Sequence, residues 1–376
     1  MKKKRFLRHR RTSRRTRAYS SQWRRVISII ILTIALAFFG LMMILNASSV
    51  SALRDFNDPY HYVRDQAMWI LLGVGCMTVF SFIDYRSLYR LAIPLLIGGI
   101  ILLLAVFIPG IGVHALGASR WIDFGFATVQ PAELVKVAII VYLAAWFSRK
   151  EKGRLTSFLF LMGIVVGLIL MQPNLGTAGI IIGVALSMYF LSGPPLWQFA
   201  MLIPAVFSAL VVLAISSPYR LERVKTFFNP QIDPQGASYH VRQILIALGS
   251  GGWFGTGLGK SRQKFTYLPE VTTDSIFAII SEELGFIGAS ALILLLAFLV
   301  IKSFRIAANA PDMFGSMLAS GITIALSVQI LVNLASMVAL VPLTGTPLPF
   351  ISYGGSNLLV SFTMVGILVS IARQSK

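Results

Sequence analysis

Long runs of apolar residues, separated by shorter polar connections, make up most of the chain. An apolar stretch of about 17 to 25 residues can cross a bilayer as a helix, because the helix satisfies its own backbone hydrogen bonds where water is absent. Stretches of this kind predict ten transmembrane helices, at residues 26–47, 67–83, 91–109, 131–147, 157–172, 175–192, 196–216, 274–301, 313–342 and 357–372. The predicted fold is an all-α polytopic membrane protein.

Composition supports this prediction. Hydrophobic residues make up 56% of the chain and charged residues 12%, whereas a soluble domain has about 45–50% apolar and about 25% charged residues. The first span resembles a signal peptide, with Val50-Ser51-Ala52 as a cleavage-like site. Its apolar core is longer than the h-region of a signal peptide, so we expect an uncleaved anchor.

The charge distribution predicts the orientation. The net charge is +19, and residues 1–25 hold twelve basic residues and no acid. By the positive-inside rule, the tail 1–25 and the C-terminus 373–376 are cytoplasmic. Residues 26–372 form a single membrane domain, whose 217–273 connection is a large extracytoplasmic loop able to form a structured cover. A basic arm beside a span is more typical of contact with anionic lipid than of nucleic-acid binding, so no nucleic-acid partner is expected.

Several kinds of site are excluded by residue type. Cys76 is the only cysteine, and the four histidines are scattered, so neither a disulfide nor a zinc pattern is present. The glycine-rich residues 255–261 lack the Walker spacing, because Phe254 stands where glycine is required. No cofactor is assigned from the sequence, and a divalent cation at a substrate pyrophosphate is left open.

Ionisable residues inside predicted spans are expensive and therefore candidates for function. Glu133 and Lys136 lie three residues apart at the start of the fourth span, on one helical face, where they can pair. The pair suits either a functional site or a structural ion pair. Glu282 and Glu283 lie in the eighth span, with no Lys or Arg between 265 and 301. We expect these carboxylates to find partners on other helices, in the region of Lys136.

Asp274 lies where the long loop turns into the eighth predicted helix. A carboxylate at this position is favoured as a helix N-cap. The same position, near the basic residues Lys260, Arg262 and Lys264, suits a general base that meets a lipid-borne headgroup at the outer surface. Both interpretations are open at this point.

Other polar or flexible positions cluster toward the same predicted face. They lie in the second outer loop, between the fifth and sixth spans, and in the Gly- and Pro-rich segment 347–357 before the tenth span. A high density of glycine and proline in a membrane protein indicates non-helical backbone that lines a cavity. The candidate lining residues are Arg120, Trp121, Pro173, Asn174, Ser352 and Gly354.

Residues 267–285 closely resemble the signature of the SEDS family, the bacterial shape, elongation, division and sporulation proteins. The resemblance extends to residues 118–122 with 130–136, 172–177 and 347–356, and it covers nearly all of 26–372. The Tyr-Leu-Pro-Glu sequence at 267–270 and the basic tail favour the division branch over the elongation branch. The departures are Thr273 where many members carry His, Ser275 where Phe is common, and Asn357 where Ser is usual.

This resemblance implies a ten-helix peptidoglycan glycosyltransferase of the bacterial cytoplasmic membrane. It implies polymerisation of lipid II at the division septum, with a class B penicillin-binding transpeptidase and other division membrane proteins as partners. The family's essential aspartate falls on Asp274, and its Glu and Lys on the fourth helix fall on Glu133 and Lys136.

The corresponding hypothesis is an inverting reaction. Asp274 acts as general base on the attacking hydroxyl, and undecaprenyl pyrophosphate departs. The negative charge of the departing pyrophosphate is neutralised by four basic residues, Lys136, Arg120, Lys260 and Arg262. Glu133 holds Lys136 in place.

Two alternatives belong to other classes. A lipid flippase or transporter would also use intramembrane Glu133, Lys136, Glu282 and Glu283, but it predicts a path to both faces and inverted halves, which the sequence does not reveal. A non-enzymatic division scaffold would use the tail and the cytoplasmic loops.

Overall fold

The computed structural model describes residues 2–115, 118–125, 127–149, 151, 153–216, 218–228, 238–263 and 272–375. The structure does not describe the side chains of most of the basic tail or of a few later residues. These are residues 2–22, 24, 25, 114, 115, 118, 210, 214, 218–220 and 223. The described helices are α1 Lys2–Phe56, α2 His61–Phe82, α3 Ser87–Ala105, α4 Pro131–Phe147, α5 Leu155–Met171, α6 Leu175–Leu191, α7 Leu196–Ile215, α8 Pro218–Phe228, α9 Tyr239–Ser250, α10 Ile276–Ala308, α11 Met313–Met337 and α12 Gly355–Gln374.

Seven helical stretches in the described residues are long and apolar enough to cross a membrane. They are Val26–Phe56 of α1, Leu196–Leu213 of α7, and the whole of α2, α3, α10, α11 and α12. Helices α4, α5 and α6 have 17 residues each and coincide with the fourth, fifth and sixth predicted spans. The prediction of a helical polytopic membrane protein is confirmed, and the number of ten crossings stays a prediction.

Helix α10 is longer than its predicted span, and it is broken. It has 33 residues, and Gly285 within it has φ 67° and ψ −171°, a backbone conformation that glycine adopts without steric cost. Residues 286–308 alone would extend about 34 Å, enough to cross the hydrocarbon core. The preceding segment 276–284 is therefore a separate short helix, and its residues from Ile276 to Glu283 are all buried inside the protein.

A small antiparallel sheet joins α3 to α4, an addition to the all-α expectation. Its strands are β1 Gly112–Ala115, β2 Ala118–Asp123 and β3 Thr128–Val129, in the order β1-β2-β3. Strand β2 pairs with both neighbours, and Trp121 lies opposite Val113. The sheet fixes the residues that precede α4.

The long 217–273 connection contains helices α8 and α9, and α9 packs against α10. Residues 229–237 and 264–271 lie outside the described part of the chain. They include Lys264 and the first residues of the segment that carries the family resemblance. The extracytoplasmic position of this connection and its role as a cover stay predictions.

The interior of the bundle is formed by α4 and α11, which pack against each other and against both α6 and α12. Helices α4 and α12 have buried residues on nearly every side, as expected for helices that are apolar all round. The charged pair of α4 therefore lies in the protein interior rather than against lipid.

Candidate active site

Asp274 lies in the turn that precedes α10, and it is 7% exposed. Its Oδ1 atom accepts hydrogen bonds from the hydroxyls of Thr273 at 3.3 Å and Ser275 at 3.4 Å. The N-cap residue of α10 is Ser275, which makes no side-chain capping bond. The capping interpretation of Asp274 is therefore wrong, because the helix begins one residue later than that interpretation requires.

The backbone of this turn is held by two other elements. The side-chain amide of Asn333, on α11, donates to the carbonyl oxygen of Asp274 at 2.9 Å and to that of Thr346 at 2.8 Å. The amide of Tyr353 donates to the carbonyl oxygen of Thr272 at 2.8 Å. A Cβ placed on Gly345 would lie 4.0 Å from Asp274 Oδ2. The carboxylate thus adjoins the irregular segment that connects α11 to α12.

Glu133 and Lys136 form the ion pair that their spacing predicts, with Lys136 Nζ 2.7 Å from Glu133 Oε2. Lys136 Nζ also donates to Gln329 Oε1 at 2.6 Å, and the side chain is 0% exposed. A second charge nearby is needed because an unpaired ammonium in the interior would be very costly. Lys136 is therefore bound by protein on two sides and does not face open space.

Gln329 connects this pair to the segment beside Asp274. Its Nε2 atom donates to the carbonyl oxygen of Pro347 at 2.9 Å and to Asn357 Oδ1 at 2.7 Å. Gln329 and Asn333 are four residues apart on α11, so they lie on one face of the helix. Both amides hold consecutive residues, 346 and 347, of the irregular segment. The ion pair on α4 is thus linked through α11 to the turn that carries Asp274.

The segment before α12 is non-helical, as its glycine and proline content predicts. Ser352 is buried, its hydroxyl accepts from the Leu348 amide at 2.8 Å, and its carbonyl accepts from Gln66 Nε2 at 3.3 Å. Gly354 has φ 157° and donates its amide to Gln66 Oε1 at 3.4 Å. These contacts make Ser352 and Gly354 parts of a turn fastened to α2.

Arg120 fastens another turn at the same end of the bundle. Its Nε donates to the Gln172 carbonyl oxygen at 3.1 Å, and its Nη2 donates to that of Pro173 at 2.7 Å. Asn174 is the N-cap of α6 and accepts from the Thr177 amide at 3.2 Å. Three predicted lining residues therefore support one turn. Trp121, half-buried on β2, is the fourth predicted residue of this region.

The expectation that Glu282 and Glu283 find partners near Lys136 is wrong. Glu282 Oε1 accepts from the Arg262 amide at 3.0 Å, and Glu283 Oε1 accepts from the Ser261 amide at 3.3 Å. The Ser261 hydroxyl also donates to Glu282, and the Asn46 side chain donates to Glu283. The kink at Gly285 brings the loop 251–262 against α10, so peptide and side-chain N–H and O–H groups satisfy both carboxylates.

The side chains of Lys260 and Arg262 are exposed on this loop. The loop docks at Glu282, eight residues along the chain from Asp274, which corresponds to about 12 Å on a helix. The structure therefore places these two cations on a surface near the site, and it does not bring them into the Asp274 cluster. Among the described residues, no group of three or more His, Cys, Asp or Glu side chains could hold a metal ion.

Three residues of the cluster were missed from the sequence: Gln66, Gln329 and Asn333. They are uncharged amides inside or beside apolar spans, where the sequence marks only ionisable residues as candidates for function. A usable signal was present, because buried side-chain amides need partners as much as charges do.

The starts of four helices meet at the polar cluster around Asp274. The Gln130 amide before α4 donates to the Ser356 hydroxyl of α12, and Gly176 of α6 packs against Thr344 and Thr346. The chain is therefore a polytopic helical membrane protein in which α4, α6, α10 and α12 begin at one site. Residues 27–376 match the family described as "Cell cycle protein", and the chain belongs to that family. The SEDS resemblance stated from the sequence is thereby confirmed.

Relatives of this family align with almost the whole chain. Stage V sporulation protein E of Bacillus subtilis is 39% identical over 355 residues, covering 93% of this chain and 97% of the relative. A probable peptidoglycan glycosyltransferase FtsW of Geobacter sulfurreducens is 41% identical over 355 residues, covering 93% and 95%.

Solved structures share the fold. A chain from the work titled "Structural coordination of polymerization and crosslinking by a peptidoglycan synthase complex" superposes with TM-score 0.75 at 27% identity, covering 92% of this chain and 97% of that one. The Rod shape determining protein RodA of Thermus thermophilus superposes with TM-score 0.69 at 27% identity, covering 93% and 96%.

Proposed function

We propose that the protein is a peptidoglycan glycosyltransferase that polymerises lipid II, with Asp274 as the general base. The observation that carries the proposal is the position of this carboxylate. It is nearly buried, its backbone is held by Asn333, and it lies at the end of the bundle where four helices begin. The names of the relatives, several of them probable peptidoglycan glycosyltransferases, point to the same activity.

In the proposed reaction, the 4-hydroxyl of one lipid-linked sugar attacks the anomeric carbon of another. A new C–O bond forms to the 4-oxygen, and the bond from the anomeric carbon to the pyrophosphate oxygen breaks. Asp274 accepts the hydroxyl proton, and undecaprenyl pyrophosphate departs with inversion at the anomeric carbon. A positioned general base contributes about 10²- to 10⁴-fold to such a step.

The four predicted cations have two different roles in this proposal. Lys260 and Arg262 are exposed on the loop that docks on α10, and they meet the pyrophosphate directly. Lys136 and Arg120 act indirectly, because their donors are bound to Gln329 and to the carbonyls of residues 172 and 173. They keep the site's backbone in place. A divalent cation at the pyrophosphate is left open.

The proposed setting is the cytoplasmic membrane at the division septum, with both termini cytoplasmic and Asp274 on the outer face. The positive-inside distribution of Lys and Arg supports this orientation. The proposed partner is a class B penicillin-binding transpeptidase, and the structural neighbour from a peptidoglycan synthase complex supports a partner of this kind.

A transporter is less well supported by the same residues. Glu133 and Lys136 are bound to each other and to Gln329, and Glu282 and Glu283 are bound to the docked loop. Charged groups fixed in this way hold the protein around one site. A transporter would instead need groups that line a substrate path open to each face in turn.

The test is lipid II polymerisation by purified Asp274→Asn, with and without the transpeptidase partner, followed by product chain length. We expect a loss of at least about 100-fold, because asparagine cannot accept the proton. Asp123→Asn is the matched control and should retain activity, since Asp123 is an exposed aspartate on β2, the strand that carries Arg120 and contacts α4. Wild-type activity in folded Asp274→Asn would remove this residue from the mechanism.

A further inference from the structure

The second residue of α9, His240, lies against the turn that carries Asp274. Its Nε2 atom is 2.8 Å from the hydroxyl oxygen of Ser275, and Ser275 is 0% exposed. The same hydroxyl lies 3.4 Å from Asp274 Oδ1. A histidine of the long loop and the candidate base are therefore joined through one buried serine.

We propose that His240 is a positioning residue for Asp274 and acts through the Ser275 hydroxyl. The inference rests on the proposed function, because it assumes that Asp274 is the base. It goes further by assigning a role to a loop residue that no motif singled out.

The direction of the hydrogen bonds follows from the chemistry of the groups. A serine hydroxyl has one proton to donate, and an ionised carboxylate only accepts. When the Ser275 proton points to Asp274 Oδ1, the Ser275 oxygen must accept from His240, so Nε2 carries a proton. The chain of donors then runs from His240 to Ser275 to Asp274.

The Ser275 hydroxyl is a weak donor to Asp274 unless a second group fixes it. The Thr273 and Ser275 hydroxyls are 3.3 and 3.4 Å from Oδ1, at the long and weak end of hydrogen bonding. A hydroxyl that rotates freely donates to Asp274 Oδ1 for only part of the time. His240 fixes the Ser275 rotamer and polarises its O–H bond, so the Ser275 proton stays directed at Asp274 Oδ1 and helps to position the carboxylate.

The contact also connects the loop to the chemistry. His240 belongs to α9 within the 217–273 connection, whereas Ser275 is the N-cap of α10. Docking of α9 on α10 and orientation of the carboxylate therefore depend on each other.

The experiment compares His240→Ala, His240→Gln, Ser275→Ala and the double variant His240→Ala/Ser275→Ala in lipid II polymerisation with the transpeptidase partner. We expect His240→Ala and Ser275→Ala each to lower kcat about three- to tenfold, the size expected of one hydrogen bond, with KM changed less than about twofold. His240→Gln should recover most of the rate, because its amide can donate to Ser275. The double variant should be no slower than either single variant, because both changes break one chain.

Ser303→Ala is the matched control, because Ser303 is a buried serine of α10 whose hydroxyl bonds only within its helix, to Leu299. It should leave kcat and KM unchanged. Losses that multiply in the double variant, or a rate in His240→Gln as low as in His240→Ala, would overturn the inference. If His240→Ala weakens folding, the kcat values of His240→Gln and Ser275→Ala still test whether His240 acts through the Ser275 hydroxyl. Full activity of Asp274→Asn would remove Asp274 from the mechanism, and no polymerisation by the wild type would refute the proposed function. Both results are distinct from the double-variant comparison.

Discussion

Asn333 holds Asp274 by its backbone, with the side-chain amide nitrogen 2.9 Å from the Asp274 carbonyl oxygen. The same nitrogen donates to the carbonyl oxygen of Thr346. One buried amide therefore fixes the distance between the turn before α10 and the irregular segment before α12. The position of the carboxylate depends on α11, a helix that contributes no ionisable residue to the cluster.

We expect Asn333→Ala to lower the polymerisation rate about tenfold and to reduce the free energy of unfolding by about 1–3 kcal/mol, because two carbonyl oxygens lose their donor. Steady-state kinetics and thermal unfolding in detergent would measure the two effects. Asn309→Ala is the control, since Asn309 is exposed and bonds only near the end of α10. An Asn333→Ala variant with unchanged kinetics would show that this bond does not position the base.

Removing one partner of the buried Glu133–Lys136 pair should destabilise the protein by about 3–5 kcal/mol, because the other charge is left uncompensated. We therefore expect Lys136→Met and Glu133→Gln to unfold at lower temperature than the wild type. The double variant should be more stable than the sum of the two losses predicts, since no buried charge remains. Thermal unfolding of the three variants measures this, and strictly additive losses would contradict a coupled pair.

The sequence predicts the Glu133–Lys136 pair and the position of Asp274, but not the amide side chains that connect them. The three-residue spacing of Glu133 and Lys136 predicts a pair, and the pair is present. Asp274 stands at a predicted loop-to-helix junction, and this junction lies where the helix starts converge. The amides that join these two points were not found, because uncharged polar residues in a long apolar span do not show which helix they face.

The partners of Glu282 and Glu283 could not be predicted for a different reason. An α-helical pattern through 274–301 assumes a continuous helix, whereas Gly285 breaks it. The break depends on a tertiary contact, because a Cβ on Gly285 would lie 2.3 Å from the amide nitrogen of Gly255. The small sheet was missed because its strands are two to six residues long, too short for a periodic signal.

Gly285→Ala should release the docked loop 251–262. The residue needs a positive φ, and the added methyl group would meet the backbone of Phe254 and Gly255. Strain of this kind costs about 1–3 kcal/mol. We expect faster limited proteolysis within the loop and a lower unfolding temperature. Gly163→Ala is the control, because a Cβ there has no neighbour within 4 Å. Equal protease resistance of the two variants would show that the kink does not hold the loop.

At the other end of the bundle, Asp312 is the N-cap of α11 and accepts from the Gly315 amide at 2.7 Å. The Tyr85 hydroxyl and Arg86 Nε also donate to it, at 2.7 and 3.0 Å. Partial burial acts to raise the pKa of the Asp312 carboxyl, but these three donors outweigh it and lower the pKa below the ordinary value. The ionised form is therefore the one that stabilises the fold.

A carboxyl whose pKa is lowered by folding contributes stability above its unfolded pKa of about 3.9, and the contribution is lost as pH falls through the lower, folded value. We expect Asp312→Asn to reduce the free energy of unfolding at pH 7 by about 0.5–1.5 kcal/mol, because asparagine keeps the N-cap but loses the negative charge that accepts from Tyr85 and Arg86. The difference from the wild type should shrink as pH falls below about 4. Unfolding measured from pH 7 down to the acid limit checks both. Asp55→Asn, which alters an exposed ion pair with Arg54, should change little. A difference that stays constant with pH would show that charge on Asp312 does not stabilise α11.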